Sequence, residues 1–246
     1  MKKIIILLLL STSLYSAELE VQATLNQWTE VTDAVYATAR DTDLGETAGS
    51  SYLAIGQREL GGSYQVFRAH LTFAIPEASA ISACTLSLNG SDDNSDNEFV
   101  LYVLSAKSAL AVLEEEDYSH FDGRQTAGAH DGVNLINTFT IGADYVDEGW
   151  NVLTFNAAGL DSLLAYQGGT ICLVVISEED YNNSAPGVGE DEYLTVDALE
   201  DEGLEPHLDI TYTEPVGYSG TACGINNPAN VCGVAKANLG NFIGVE

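Results

Sequence analysis

Residues 64–75, "YQVFRAHLTFAI", and residues 81–90, "ISACTLSLNG", are two of the clearest strand patterns in the sequence. In the second stretch the apolar residues can face a core while Thr85 and Ser87 face outward, because side chains alternate between the two faces of a β-strand. The inward set is Ile81, Cys84, Leu86 and Leu88. Both stretches therefore predict strands of a packed sheet.

The same rhythm continues on both sides of these stretches. Between Gln22 and Tyr212 the chain consists of short alternating runs separated by clusters of Gly, Asn, Asp and Ser, a pattern typical of two β-sheets. The other predicted strands cover residues 51–56, 98–105, 134–142, 149–156, 168–177, 191–199 and 206–212.

Two segments interrupt this pattern. Residues 106–115 predict a short helix, and residues 157–166 predict a second helix that begins after Asn156 and ends before Gly168. Many strands with few helices predict an all-β fold, an antiparallel jelly-roll-like β-sandwich. We place this domain at residues 18–213.

The N-terminal sequence is typical of a secretory signal peptide. Lys2 and Lys3 precede an apolar run over residues 4–10, and small polar residues follow. The run is too short to span a bilayer. We predict that residues 1–17 are removed after Ala17, that the mature chain has no membrane span, and that it is secreted to the extracellular space or the cell surface.

The charge of the chain limits its partners. It has 37 Asp and Glu residues against 8 Lys and Arg, for a formal net charge of -29 at pH 7. Loss of two lysines with the signal peptide would make this −31. Such a field repels nucleic acid and anionic membranes. We therefore expect neither as a partner.

The C-terminal tail, residues 223–246, differs from the rest of the chain and follows a Pro- and Gly-containing linker at residues 214–222. It repeats an apolar residue, Gly and a β-branched residue three times, and so short a repeat cannot bury much surface alone. We expect it to dock on a neighbouring subunit or a larger extracellular assembly, with a disulfide between Cys223 and Cys232. A disordered end or packing on its own sandwich are the alternatives.

Part of the chain resembles the DNRLRE-type β-sandwich domain, a family similar to carbohydrate-binding modules. The likeness covers about residues 33–212 and depends on the elements "FRAHLTFAIPEASAISACTLSLNG", "GWNVLTFNAAGLDSLL", "GGTICLVVIS" and "EPHLDITY". The chain departs from the family at Ala74, where an Asp is common, and at Tyr118, where a Trp is common. The resemblance implies a binding or structural module without a catalytic motif. The tail resembles "GVAKAN" repeats of phage-like and surface structural proteins.

An acidic loop, "NGSDDNSDNEF", predicts a calcium site. It places oxygen-bearing side chains on alternate residues, and Ca²⁺ prefers several oxygen ligands from a flexible turn. The predicted ligands are Asp92, Asn94, Asp96 and Glu98. A solvated hairpin loop without an ion is the alternative. A second acidic loop, "SEEDYNNSAPGVGEDEY", leaves the same two interpretations open.

Exposed aromatic rings are the predicted ligand-binding groups, because a β-sandwich that binds sugars needs such faces beside polar groups. Trp28, Tyr118 and Tyr181 lie in or near polar segments and are the candidates. Trp150 opens a strand and is predicted to pack in the core or at a sheet edge. Arg68 is predicted to form a structural ion pair.

The sequence offers no catalytic motif. The histidines at positions 70, 120, 130 and 207 have no nucleophile motif around them. A metal set in the loop 120–131 (His120, Asp122, His130 and Asp131) matches no known closed site, so a solvated loop is favoured. We expect a non-catalytic structural or assembly protein of a fibre, surface or virion projection. A carbohydrate-binding module or adhesin is the first alternative and a polysaccharide-degrading enzyme the second.

Overall fold

The computed structural model of the protein describes residues 16–48, 51–106, 112–198 and 203–215, together with short strand pairs at 221–222, 225–226, 230–231 and 234–235. The fold is an all-β, antiparallel, jelly-roll-like sandwich, as predicted. In the described part of the chain, no helix has the length and apolar character needed to cross a membrane.

The strands are Ser16–Gln22 (β1), Leu25–Asp33 (β2), Glu46–Ala48 (β3), Tyr52–Leu60 (β4), Ser63–Ala74 (β5), Ala80–Asp93 (β6), Phe99–Ser105 (β7), Thr140–Ile141 (β8), Trp150–Thr154 (β9), Thr170–Ser177 (β10), Asp191–Asp197 (β11), His207–Thr213 (β12), Thr221–Ala222 (β13), Ile225–Asn226 (β14), Asn230–Val231 (β15) and Val234–Ala235 (β16). The helices are Tyr36–Asp41 (α1), Ala157–Ala165 (α2) and Glu178–Asn182 (α3), with a 3₁₀ helix at Glu115–Ser119.

Two sheets enclose one apolar core. One sheet has the order β9–β6–β12–β1, and the other has the order β3–β2–β5–β10–β7–β8. Strands β4 and β11 join them, because β4 pairs with β5 and β11 pairs with both β4 and the end of β6. This junction closes one end of the sandwich.

Strand β6 confirms the predicted inward set and shows how it is achieved. Ile81 and Cys84 lie three residues apart, so a regular strand would place them on opposite faces. The pairing with β12 shifts at this point, which leaves Ser82 unpaired as a β-bulge. The inward residues are therefore all buried: Ile81, Cys84, Leu86 and Leu88. Cys172 is likewise buried at 2% exposure.

Strand β5 is buried on both of its faces. Phe67, Ala69, Leu71 and Phe73 point into the core between the sheets. The opposite face carries Val66, Arg68, His70 and Thr72, and it is covered by α1, the 3₁₀ helix and α3. An ordinary sandwich would expose this outer face to water. Here an additional layer buries it, together with its charged residue.

Arg68 and Asp180 form the ion pair at the centre of this layer, which confirms the structural role predicted for Arg68. The Nε and Nη2 atoms of Arg68 donate to the two carboxylate oxygens of Asp180 at 2.7 and 2.8 Å. The same guanidinium donates to the carbonyl oxygens of Tyr118 at 2.8 Å and Arg40 at 3.0 Å. It therefore ties β5 to α1, the 3₁₀ helix and α3.

The surroundings of the titratable groups in this layer determine whether each is charged. Burial opposes ionisation of Asp180, but the Arg68 guanidinium overrides this and holds the carboxyl pKa well below its usual range. Burial lowers the pKa of His70 to about 3, and its Nε2 atom lies 3.1 Å from the Thr29 hydroxyl. The layer thus holds two buried arginines, Arg40 and Arg68, that both pair with Asp180, beside a neutral histidine.

Glu179 of α3 is an acid whose burial is poorly compensated. Its Oε2 atom is buried without a hydrogen-bond partner in the described protein. Burial raises the pKa of Glu179 to about 7, and the nearby Glu192 carboxylate adds to the effect. Glu192 itself accepts a hydrogen bond of 3.0 Å from the side chain of Gln57. Protonation of Glu179 near neutral pH therefore relieves a buried charge.

Helix α2 agrees with the sequence prediction. The Asn156 side chain accepts a hydrogen bond from the Gly159 backbone and forms the N-cap. The helix predicted at 106–115 is wrong where it can be compared, because residues 112–114 are not helical and the 3₁₀ helix begins at Glu115. Residues 107–111 lie outside the described residues.

The strand predicted at 134–142 is mostly wrong. Only Thr140–Ile141 forms β8. The preceding residues lie beside β7 and make only isolated hydrogen bonds to it. In one of them the Leu135 N–H donates to the Val103 carbonyl oxygen at 2.8 Å. The Asn134 side-chain oxygen, rather than a backbone carbonyl, accepts the hydrogen bond from the Val103 N–H at 3.0 Å. The apolar residues of this segment are buried as a strand's would be, but the Asn134 side chain interrupts the backbone hydrogen bonds to β7.

We predict that Asp180→Asn lowers the free energy of unfolding by about 3–5 kcal/mol, because it leaves the buried Arg68 without its counter-charge. Urea denaturation followed by circular dichroism measures this. Asp43→Asn is the matched control, since Asp43 is 80% exposed in its pair with Arg124 and should cost less than about 1 kcal/mol. Equal effects of the two variants would contradict the central role of the buried pair.

We also predict a pH-dependent effect of Glu179→Gln. The pKa of Glu179 is higher in the folded protein than its ordinary value of 4.5, so the folded state holds the proton more tightly and stability falls as pH rises from 4.5 to about 7. The variant should therefore gain stability relative to the wild type across this window. Unfolding free energies at pH 5 and pH 8 provide the comparison, with the neighbouring Glu178→Gln as control. A difference that does not change with pH would refute the assignment.

Candidate functional site

A groove opens where β4 and β11 join the two sheets. Its volume is about 660 Å³, within the range typical of small-molecule sites. Strands β2, β4, β5, β6 and β11 all contribute side chains, so the groove lies at the closed end of the sandwich. Its lining combines aromatic rings with charged and polar groups: Trp28, Glu30, Tyr52, Ala54, Arg58, Phe67, Ser91, Asp92, Asn94, Tyr193 and Thr195.

A glycine in β4 shapes the floor of the groove. Gly56 pairs with Phe67 of β5 on one side and with Tyr193 of β11 on the other. Because Gly56 has no side chain, the rings of its two neighbours meet with their centroids 5.4 Å apart. The glycine has φ +123, and a Cβ there would lie 2.2 Å from the Glu192 carbonyl oxygen. Only glycine fits this position.

Trp28, one of the predicted ligand-binding residues, lies in this groove. It is 8% exposed, packs edge-on against Phe67 at 5.5 Å and stacks on Tyr52 at 6.1 Å. Tyr52 is 43% exposed and presents the more accessible ring. Trp28 therefore supports the aromatic wall from behind, while Tyr52 forms its outer part.

Arg58 and Glu30 are charged groups of the groove. The Arg58 guanidinium lies over the Phe67 and Tyr193 rings, 5.7 and 5.3 Å from their centroids, and its Nε donates to Gln65. Burial raises the pKa of Glu30, and the Glu46 carboxylate opposite it in β3 adds to the effect while Arg58 opposes it. This side of the groove therefore carries charges of both signs.

The opposite rim is polar and is built by a second bulge in β6. The pairing of β6 with β11 shifts between Asp92 and Gly90, so Ser91 has no partner. Ser91 and Asp92, although adjacent, both line the groove as a result. Asn94 joins them, and its backbone N–H donates to the Tyr193 carbonyl at 3.1 Å. The rim thus offers a carboxylate, an amide and a hydroxyl.

The four predicted calcium ligands are divided by this arrangement. Asp92 and Asn94 face the groove, whereas the Asp96 carboxylate accepts the Asp191 N–H at 2.9 Å and fastens the loop to β11. Glu98 packs beside Gly142. No three carboxylates of this loop converge in the described structure. Calcium binding by the loop stays a prediction, which thermal unfolding in EDTA and in Ca²⁺ tests.

Tyr118 was predicted to bind ligand, and the structure corrects this. Its side chain is fully buried, its hydroxyl donates to the Ala39 carbonyl at 2.7 Å, and its ring lies 4.0 Å from the Arg68 guanidinium carbon. Tyr118 therefore packs in the buried charged layer, where no sugar can reach its face. The polar residues around Tyr118 predict an exposed loop. They instead form a 3₁₀ helix whose Tyr118 side chain is buried.

Tyr181 lies outside the groove. It stacks on Tyr102 with ring centroids 4.5 Å apart, and its hydroxyl donates to the Gly132 carbonyl at 2.8 Å. The pair is half-buried on the outer face of the sheet that contains β5, β10 and β7. Tyr181 and Trp28 thus belong to two separate aromatic sites.

The histidines of the loop 120–131 are also separated. His120 is half-exposed beside Asp117 at 3.2 Å, whereas His130 is buried with its Nε2 atom 3.5 Å from Asp180. In the described structure they do not form a metal-ligand group with Asp122 and Asp131. Cys223 and Cys232, predicted to form a disulfide, lie outside the described residues.

Sequence reasoning missed several groove residues: Tyr52, Arg58, Phe67 and Tyr193. One signal was available, because an isolated glycine inside a strand pattern, here Gly56, indicates a close backbone approach or a bulge. The pairing that brings Tyr52 and Tyr193 to one groove is long-range, and no local pattern indicates it.

Comparison of the chain with models of known protein families and with curated proteins gives no match. The resemblance to the DNRLRE-type domain accordingly depends on the quoted sequence elements.

We predict that Gly56→Ala destabilises the protein by at least about 1 kcal/mol more than Gly61→Ala, because its Cβ would clash with backbone. Both glycines have positive φ, but a Cβ at Gly61 would meet nothing within 4 Å. The difference therefore isolates the close approach at the groove floor. Urea denaturation of both variants measures it. Equal losses of stability would show that the clash is relieved by a backbone shift.

Proposed function

We propose that this protein is a secreted, non-catalytic module that binds a saccharide in the groove between β4 and β11. The observation that carries the proposal is the aromatic wall of Trp28, Tyr52, Phe67 and Tyr193 facing the polar rim of Ser91, Asp92 and Asn94. We therefore propose carbohydrate binding, rather than assembly, as the principal function.

The chemistry of the groove suits a sugar. A pyranose ring has apolar C–H faces that pack on aromatic rings, and hydroxyl groups that donate to carboxylates and accept from amides. Tyr52 supplies an exposed ring, while Asp92 and Asn94 supply an acceptor and a donor on the other rim. Few polar groups beside an apolar wall is the usual composition of a small-molecule site.

Charge narrows the class of saccharide. Glu30 and Asp92 line the groove together with Arg58, whose guanidinium already lies over two aromatic rings. The surrounding protein has a formal net charge of -29. Uronic acids and sulfated sugars would be repelled at low salt. The groove therefore favours a neutral or amino-bearing saccharide.

Two sequence expectations support this proposal. The N-terminal signal peptide would deliver the protein to a compartment where polysaccharides are found. The resemblance to a DNRLRE-type domain implies a jelly roll that serves as a binding or structural module. Fold likeness alone identifies no ligand, so the groove carries the argument.

Assembly through the tail remains a prediction for the same protein. The residues that would carry it, 223–246, lie outside the described residues apart from short strand pairs. A binding module attached to a larger extracellular assembly would use both parts. Deletion of residues 217–246 with light scattering as the readout tests self-association separately from ligand binding.

The proposal is tested by screening the protein on an array of neutral and amino-bearing oligosaccharides, followed by calorimetry with the ligand found. Tyr52→Ala should weaken binding about tenfold or more, because it removes the exposed ring of the wall. Asp92→Asn should weaken saccharide binding as well. The carboxylate has two oxygens that accept hydrogen bonds from sugar hydroxyl groups, and the amide keeps only one.

Tyr102→Ala is the matched control, because it also removes a partly exposed tyrosine stacked on another ring, but away from the groove. It should bind with wild-type affinity. If Tyr102→Ala weakens binding and Tyr52→Ala does not, the Tyr102–Tyr181 pair is the site and the groove proposal fails. Absence of any bound oligosaccharide at millimolar concentration would also overturn it.

A further inference from the structure

Three potential metal ligands meet on the outer face of the β1–β12 edge, away from the groove. Glu20 of β1 stands opposite Asp209 of β12, and His207 lies two residues before Asp209 on the same face. One ligand atom from each of the three lies within 4.8 Å of the other two. Within residues 16–48, 51–106, 112–198 and 203–215, this is the one such group of acidic, His or Cys side chains.

His207 is oriented as a ligand. Its Nδ1 atom lies 3.2 Å from the backbone carbonyl oxygen of Glu205. A carbonyl can only accept a hydrogen bond, so Nδ1 carries a proton, and in the neutral ring the lone pair is then on Nε2. Metal-binding histidines are characteristically held by such a bond to the ring nitrogen that does not bind the metal. The Nε2 atom of His207 faces the Asp209 carboxylate at 3.7 Å.

Trp150 restricts the imidazole from the other side. Its ring packs edge-on against His207, with centroids 4.7 Å apart and planes inclined at 70°. The His207 side chain is consequently only 13% exposed although it lies on the outer face of a sheet. Asp209 is 54% exposed. The site thus has one fixed nitrogen ligand and an open side toward solvent.

We infer that Glu20, His207 and Asp209 bind a divalent transition-metal ion of the Zn²⁺ or Cu²⁺ class. One imidazole and two carboxylates suit these ions better than Ca²⁺, which takes oxygen ligands. Ligand atoms of a tetrahedral site with bonds of about 2.0–2.1 Å are roughly 3.3 Å apart, so a small side-chain rotation closes the 3.7 Å separation. The ion would cross-link β1 to β12 and fasten the edge strand.

Trp150 provides a direct readout, because bound Cu²⁺ quenches the emission of a nearby indole. Titration of the untagged full chain with Cu²⁺ should quench part of the tryptophan fluorescence in a saturable way, and Zn²⁺, which does not quench, should reverse it by competition. His207→Ala should weaken the apparent affinity at least tenfold. Trp150→Phe should lose most of the quenching but keep the rise in thermal midpoint caused by Zn²⁺.

His120→Ala is the matched control, since His120 also lies beside a carboxylate, Asp117 at 3.2 Å, but has no third ligand among the residues that the structure describes. It should titrate as the wild type does. If the Cu²⁺ concentration that gives half of the quenching is the same for His207→Ala as for the wild type, the ion binds elsewhere and the inference is overturned. Loss of the quenching in His120→Ala would overturn it too. Quenching that does not saturate below millimolar Cu²⁺ would overturn it as well.

Discussion

The buried pair of Arg68 and Asp180 holds three helical segments on the outer face of β5. A fully buried guanidinium is tolerable only when its charge and its N–H groups are satisfied. Asp180 supplies the charge, and backbone carbonyls from α1 and the 3₁₀ helix accept the remaining hydrogen bonds. These segments must therefore pack on the outer face of β5. The Arg68 side chain thus contacts all three short helices that cover β5.

The groove depends on the same strand, seen from its other face. Phe67 forms the groove floor and is adjacent to Arg68, so the backbone that positions one side chain positions the other. Gly56 then brings Tyr193 against Phe67, and Arg58 covers both rings. The floor is consequently made of rings that cannot easily move. A rigid aromatic wall reduces the entropy lost when a ligand binds.

Periodicity in the sequence was sufficient for the sandwich but not for the site. The alternation of Cys84, Leu86 and Leu88 in β6 and the N-cap at Asn156 follow from local patterns, whereas Ile81 joins the inward set only through the bulge at Ser82. Tyr118 shows where this reasoning fails, because a tyrosine among polar neighbours is buried by a long-range partner, Arg68. The groove likewise depends on the pairing of β4 with β11 and on a bulge at Ser91. Local sequence specifies neither.

The distribution of positive charge connects these parts. Arg40 and Arg68 are fully buried, Arg58 lies on two aromatic rings, and Arg124 donates to the backbone carbonyls of residues 41 and 42. All the arginines are thus engaged in structure, and the four lysines lie outside the described residues. The described surface is left almost purely acidic. An acidic surface of this kind attracts cations and repels polyanions, so at both the groove and the β1–β12 edge it favours neutral or positively charged partners over anionic ones.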